Sequence, residues 1–547
     1  MKRTLTIVLV AMAWQVHGQD PIGEVSSEEI IIEKNKEIVL PRADKLFLPI
    51  GAQDITKDSI RLRFNLLSPQ FNISPFAPRL TPHGYSVPSD KLAYQNFFKA
   101  GIGSYGSPLL SGYVGQETKQ MNWGAFLHHE SFGTGSVRGK ESGSSSSLVD
   151  VFATFQNKKW AFTPSVGWQS DGFRFYGYGE DDTRISTDKS AVDRIRLGGT
   201  LEEIGADDWT LSVTPTFKTT TQNAAGNVPS SAERYFDFLA EATYAFDSTL
   251  NAGVNLQMGA ITFDSEATIK RNFVKVNPWV GIKRSSLYIK AGVEIATTND
   301  TIISGTKSFF YPDISVAWSG LPGWTVYGGL SGELKPVTFS SISQENVFMD
   351  DSLVMAHENI KSKISGGIRG AITSKLFLNT GIGLSSVENM SFFMPSAFDS
   401  ARFILAVDPE SIAVFNWFGN LNFQPSANTY LNFGMDVYSY GGLDTFAEAW
   451  YKPSYKLTVD WFQRYSDKIS SQVRLTSLGG IKAPTPITLD AQTLDPILDL
   501  SLEGTYKIND RAEGFVQLQN LFGKEYERFL NYPNRGLSFK IGALYRF

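Results

Sequence analysis

The chain contains no cysteine in 547 residues. That one absence removes disulfides, thiolate metal ligands, a thiol nucleophile and a lipid-bearing cysteine anchor together. Histidine is also scarce, with five in all. Neither charge sign is in strong excess, since the net charge is −5, and a nucleic-acid partner would call for a basic face. After the first twenty residues no apolar run reaches the ~18 residues or more that a spanning helix needs. From about Ala93 onward no amphipathic helical pattern stands out either. Cofactor fingerprints are missing as well. "GIGSYGS" (Gly101–Ser107) has glycines but lies in a strand and turn, with no helix after it to hold a phosphate.

What is present begins with MKRTLTIVLVAMAWQVHGQD. Lys2 and Arg3 precede a short apolar run from Leu5 to Trp14, and Val16 and Gly18 place small residues before a cleavage point. The pattern predicts a secretory signal peptide over residues 1–18, cut between Gly18 and Gln19. Residues 19–92 are irregular and partly Pro-rich, as in "SPQFNISPFAPRLTPHGYSVPSD". From 93 to 547 the period is two. Leu287, Ile289, Ala291, Val293 and Ile295 alternate with Tyr288, Lys290, Gly292 and Glu294. Tyr455, Leu457, Val459 and Trp461 alternate with Lys456, Thr458, Asp460 and Phe462, and Leu498, Leu500, Leu502 and Tyr506 with Asp499, Ser501, Glu503 and Thr505. These are two-sided strands.

Tight turns such as Asn157-Lys158-Lys159, Phe246–Thr249 and Ile508–Arg511 alternate with longer polar connections, among them 132–146, 179–190, 336–355, 391–400, 480–495 and 522–535. Short turns on one side and long ones on the other predict an all-β fold, an antiparallel up-and-down barrel in an outer membrane, of about 22 strands. A large soluble sandwich or propeller fits less well. The strands read as about 10 to 18 residues, longer than soluble sheets use, no second layer covers the apolar face, and no propeller repeat is visible. Lipid also demands that every backbone group be paired, which a closed barrel achieves.

The chain stops on "GLSFKIGALYRF". Phe539, Ile541, Ala543, Tyr545 and Phe547 form an alternating apolar series that ends on an aromatic. Such a last strand closes a barrel and resembles the signal that outer-membrane barrels present to their assembly machinery. The wider stretch from Asn520 to Phe547 resembles the C-terminus of TonB-dependent receptors, through Asn520-Leu521-Phe522, Tyr526, Tyr532-Pro533, Arg535-Gly536 and Tyr545-Arg546-Phe547. The resemblance implies a transport-type barrel of similar strand number. The family's plug domain, of well over a hundred residues, does not fit into 19–92, so the chain reads as a short, plugless relative. "EEIIIEKNKEIVLP" carries Glu29, Ile30, Ile31, Ile32 and Glu33 and suits either a TonB box or one short strand.

Nothing in the sequence supports an enzyme, a metal centre or a cofactor. His128-His129-Glu130 sits at a strand end, where neighbouring side chains point to opposite faces and cannot chelate one ion; it reads as a loop-rim feature. Glu180-Asp181-Asp182 and Asp350-Asp351 read as solvated surface loops, lacking the spacing of a calcium loop. Ser142–Ser147 reads as a flexible loop tip. Two functions remain. One is a channel or transport barrel with 19–92 as a partial stopper. The other is an accessory or scaffold subunit of a larger outer-membrane complex, docking through 19–92 and the surface loops. Predicted partners are outer-membrane lipid, the barrel assembly machinery and periplasmic or outer-membrane proteins; nucleic acid is not among them.

Overall fold

In the computed structural model the described residues are 96–547, apart from 119, 138, 180–188, 206–207, 224–228, 301–304, 352 and 487. The signal peptide, Gly18, Gln19, Glu29–Glu33, the 19–92 segment and Glu180–Asp182 therefore lie outside them.

The alternation seen in the sequence becomes one 22-stranded antiparallel sheet. It closes on itself where the first strand, Phe97–Gly103, pairs with the last, Ser538–Arg546, through Phe97↔Arg546 to Gly103↔Lys540. A closed sheet has no free edge, so every strand finds two partners. Facing follows the sequence reading. Val293 and Ile295 lie exposed on the outer face, whereas Lys290 pairs with Asp313 at 2.9 Å on the inner one. On the last strand Leu537, Phe539, Ile541, Tyr545 and Phe547 are exposed outward, while Ser538, Lys540 and Leu544 are buried inward.

Tight turns at one end are stapled by their own side chains. Asn157 Oδ1 accepts the N–H groups of Lys159 and Trp160, both at 2.8 Å. Asp247 Oδ1 accepts those of Thr249 (2.6 Å) and Leu250 (2.9 Å). Asn509 Oδ1 accepts those of Arg511 (2.9 Å) and Ala512 (3.0 Å). Short Asx side chains satisfy turn donors in this way, which is why Asn and Asp sit at these positions. Gly323, with φ of 76°, supplies a left-handed turn residue between Leu321 and Trp324.

Strand lengths are uneven. Pro229–Ala245 has 17 residues, whereas Phe97–Gly103 has 7, Ala512–Gln519 has 8 and Ser538–Arg546 has 9, below the range read from the sequence. The strands flanking the closing seam are thus the shortest of the barrel. Inward ion pairs reinforce the seam. Lys99 Nζ reaches Glu503 at 3.0 Å, Gln517 donates to the same carboxylate at 2.6 Å, and Lys540 pairs with Glu130. Both lysine ammoniums also rest over rings, Lys99 over Phe515 (4.1 Å) and Lys540 over Phe132 (4.3 Å).

Several sequence expectations need correction. A helix, Phe339–Glu345, is present within the long connection after Trp324–Lys335; its 7 residues are too few to leave a periodic signature. His128 and His129 are not at a loop rim but inside the strand Met121–Phe132, His128 buried and His129 bonded to Ser147 Oγ at 2.8 Å. Ser144–Ser147 opens a strand instead of forming a loop tip, with Ser146 Oγ donating to Asp171 at 2.8 Å. Asp350 and Asp351 are structural rather than solvated: Asp350 accepts from Ser396 Oγ at 2.6 Å and Asp351 pairs with Arg402 at 3.3 Å.

Candidate functional site: a lid built from the long connections

The long connections are not solvated excursions. They carry apolar residues at no fixed period: Val347-Phe348-Met349, Phe392-Phe393, Trp450-Tyr451 and Phe529. Folded over one mouth of the barrel, these residues merge into one buried cluster. It also takes in Phe173 and Phe175, Phe339 and Ile342, Leu353 and Met355, Phe403 and Leu405, Ile481, and Tyr526 and Tyr532. Its centre is aromatic. Phe348 stacks on Tyr532 with ring centroids 3.7 Å apart. Phe403 lies edge-on to Tyr451 at 5.6 Å and tilted against Phe529 at 5.4 Å. Two connections add hairpins of their own, Met390–Pro395 with Phe403–Asp408 and Lys482–Pro484 with Ala491–Thr493, which satisfy backbone groups that burial would otherwise orphan.

Charged and polar groups of the barrel wall hold this lid down. Glu233 accepts the N–H groups of Phe339 (2.7 Å) and Ser340 (3.2 Å) at the start of the short helix, where a carboxylate suits both the unbonded N–H groups and the helix dipole. A Thr338–Ser341 capping box closes the same turn. Arg194 donates to Ser343 Oγ at 2.9 Å, and Gln222 to Met349 O at 3.1 Å. The His357 N–H donates to Asp300 at 2.5 Å. From another connection, Arg528 reaches Tyr451 O at 2.8 Å and Glu345 at 3.2 Å, and Tyr526 donates to Asp499 on the wall at 2.9 Å.

Burial changes the acid–base character of the lid. His357 Nδ1 accepts the Val337 N–H at 3.2 Å and lies 3.5 Å from the Arg271 guanidinium. Burial, assisted by Arg271 and Lys275, holds its pKa down at about 3, so the ring is neutral. Burial also pushes the Tyr176 hydroxyl up to about 12.

Below the lid the inner wall is polar and its charges are paired: Asp150–Arg196 at 2.6 Å, Lys218–Asp237 at 3.2 Å, Asp460–Arg474 at 2.5 Å. Paired charges on a wide wall suit a wet lumen. Among the described residues no group of three metal-ligating side chains comes together.

Solved structures share this architecture. A siderophore receptor, PirA from Acinetobacter baumannii, superposes with a TM-score of 0.63 at 10% identity, over 83% of this chain and 80% of that one. The FrpB iron transporter from Neisseria meningitidis gives 0.65 at 11%, over 84% and 82%. The FpvAI–pyocin S2 complex gives 0.62 at 12%, over 83% and 73%. The fold is that of these receptor and transporter barrels. At such identities the likeness is one of fold. No family model and no curated protein matches the sequence.

The receptor-like motif from the sequence falls in a structured place. Tyr526 and Tyr532 are lid residues, and Asn520 donates to Lys524 O (2.7 Å) and Arg535 O (2.8 Å), bracing the last connection. Phe539, Ile541, Ala543, Tyr545 and Phe547 line the outer face of the closing strand. The lid itself, and its anchors Glu233, Arg194, Gln222 and Arg528, escaped sequence reading. The aromatic density of connections read as polar was the one available signal.

Proposed function

We propose that the chain is an outer-membrane, transport-type barrel of receptor architecture whose route to the outside is gated by its own loops. One observation carries this reading: apolar residues from many long connections share a single buried core across the mouth that faces outward in such barrels, anchored by charges of the wall. An open porin would leave that mouth wet. The polar, charge-paired lumen beneath it supports passage once the lid moves. Residues 1–18 as a signal peptide, 19–92 as a periplasmic or luminal segment too short for a full plug, and the closing-strand aromatics as an assembly signal belong to the same proposal, which assigns the chain no catalytic role. PirA is a siderophore receptor and FrpB an iron transporter, so ferric chelates are the first cargo to try.

Conductance in planar bilayers tests the gate. Intact protein should conduct little. Replacing 389–411 with a short Gly-Ser linker should open it, and deleting 24–90 alone should not. If the linker variant stays closed while the deletion opens, the block lies at the other end and the gate reading fails. The thoroughness of the lid's anchoring also favours a second reading, a sealed scaffold subunit. Stoichiometric partners retained in mild detergent, with no conductance from any lid variant, would select it.

A further inference from the structure

Between the lid and its neighbours lies a partly open cavity of about 30 Å³, more than the ~10–15 Å³ one water requires. Four chain segments meet there, around 135–144, 173–176, 345–348 and 529–535. Asn346 lines it and is 1% exposed. Its Oδ1 accepts the Phe348 N–H at 2.9 Å, yet its Nδ2 has no acceptor. A buried amide donor without a partner is costly enough that it normally marks a missing ligand or water. Arg174, also lining the cavity, has no hydrogen-bond or ion-pair partner among the described residues. Arg535 contributes a second guanidinium, set over the Phe132 ring at 3.6 Å and donating to Ser144 Oγ at 3.1 Å. The acidic lining residue, Glu345, is already engaged by Arg528 at 3.2 Å and Lys452 at 3.9 Å. Donors and positive charge therefore converge on a small space whose remaining walls include the rings of Tyr176, Phe348 and Phe529.

We propose that this cavity binds a small carboxylate, free or as the exposed carboxylate of a larger organic ligand, and that binding ties the four segments together. A guanidinium presents parallel N–H groups that match a planar carboxylate, and a charge-assisted bond of this kind is among the stronger ones. The Asn346 amide supplies a third donor, and the aromatic walls suit an apolar body behind the carboxylate. The inference goes beyond gating and holds whether or not the barrel transports, because it concerns a ligand that bridges loops.

Binding by calorimetry, and hydrogen exchange of the four segments, test it on the full protein in detergent at constant ionic strength. Acetate, benzoate, inorganic phosphate and chloride are the probes. Acetate should protect amides near 345–348 and 533–535 where chloride does not, and benzoate should bind more tightly than acetate. Asn346→Asp keeps the acceptor for the Phe348 N–H but replaces the free donor with a repelling oxygen; Arg174→Gln removes a charge that has no hydrogen-bond or ion-pair partner among the described residues. Each should weaken carboxylate binding about tenfold or more, and Arg174→Lys should retain part of it. Unliganded exchange of the loops must match wild type in each variant used. Equal binding by such variants, acetate behaving as chloride does, or phosphate binding more tightly than acetate would each overturn the proposal.

Discussion

Phe403 is the position at which the lid can be loosened with the least disturbance to the wall. Its side chain is 2% exposed and meets three other rings, Tyr451 at 5.6 Å, Phe529 at 5.4 Å and Tyr532 at 6.0 Å. Its backbone N–H donates to Phe348 O at 2.8 Å, and its carbonyl accepts from Asp350 N at 2.7 Å. Phe403→Ala leaves those backbone bonds possible and deletes the ring. Removing a buried Phe costs about 3–5 kcal/mol, a range that already includes the loss of its ring contacts. None of that loss falls on the barrel ladder, whose hydrogen bonds do not involve Phe403. The population of lid-open molecules should rise by two to three orders of magnitude, at about 1.4 kcal/mol per factor of ten. Native hydrogen exchange should show it as lost protection across 336–357 and 389–411, while strand amides and the heat-dependent gel shift of the barrel stay as in wild type. If strand protection falls in parallel with the loops, lid and wall are one cooperative unit and the reasoning is wrong. Unaltered loop exchange would refute it as well, by showing that the ring contributes nothing to closure.

Other perturbations separate the remaining features. Glu130→Lys alone leaves Lys540 buried beside a like charge and should cost about 3–5 kcal/mol; the double exchange Glu130→Lys with Lys540→Glu should recover much of it in denaturant titrations of the folded barrel. Val293→Arg on the outer face should cost about 2–4 kcal/mol near the bilayer midplane, whereas Lys290→Gln on the inner face should be tolerated, and equal costs would mean the facing is misassigned. His357 binds no proton in the closed lid until about pH 3, but once opened and hydrated it would do so near its ordinary value of about 6.5. Lid closure should therefore be at full strength above about pH 6.5 and weaken as pH falls, by up to about 1.4 kcal/mol per unit; loop exchange should show this slope in wild type and lose it in His357→Gln. Phe547→Ser should lower the yield of inserted barrel and leave the unfolding of assembled molecules unchanged; normal insertion would count against a terminal assembly signal.

The barrel was legible because its rules are local. A period of two, Asn or Asp at tight turns and long connections between them all act within a few residues, and the outward row Leu287 to Ile295 kept its face in the fold. The lid was not legible because its cohesion is nowhere local. Phe348, Phe403 and Tyr532 are far apart in sequence and follow no period, so each connection taken alone looks like a polar loop with a stray aromatic. The seam ion pairs are harder still: Lys99 and Glu503 lie 404 positions apart. His128 was expected at a loop rim and lies buried within a strand, because alternation separates the two faces and says nothing about depth.

The shared core of the lid also bears on how this surface can diverge. Outward loops of membrane barrels ordinarily vary as independent units, each free to change without consulting the next. Here a substitution at Phe348 is felt by Tyr532, and one at Phe403 by both Tyr451 and Phe529. The loops should therefore drift together, with free variation confined to tips such as Phe398, which is 92% exposed. A binder raised against one loop of this barrel would be reading a surface whose shape is set jointly by the others.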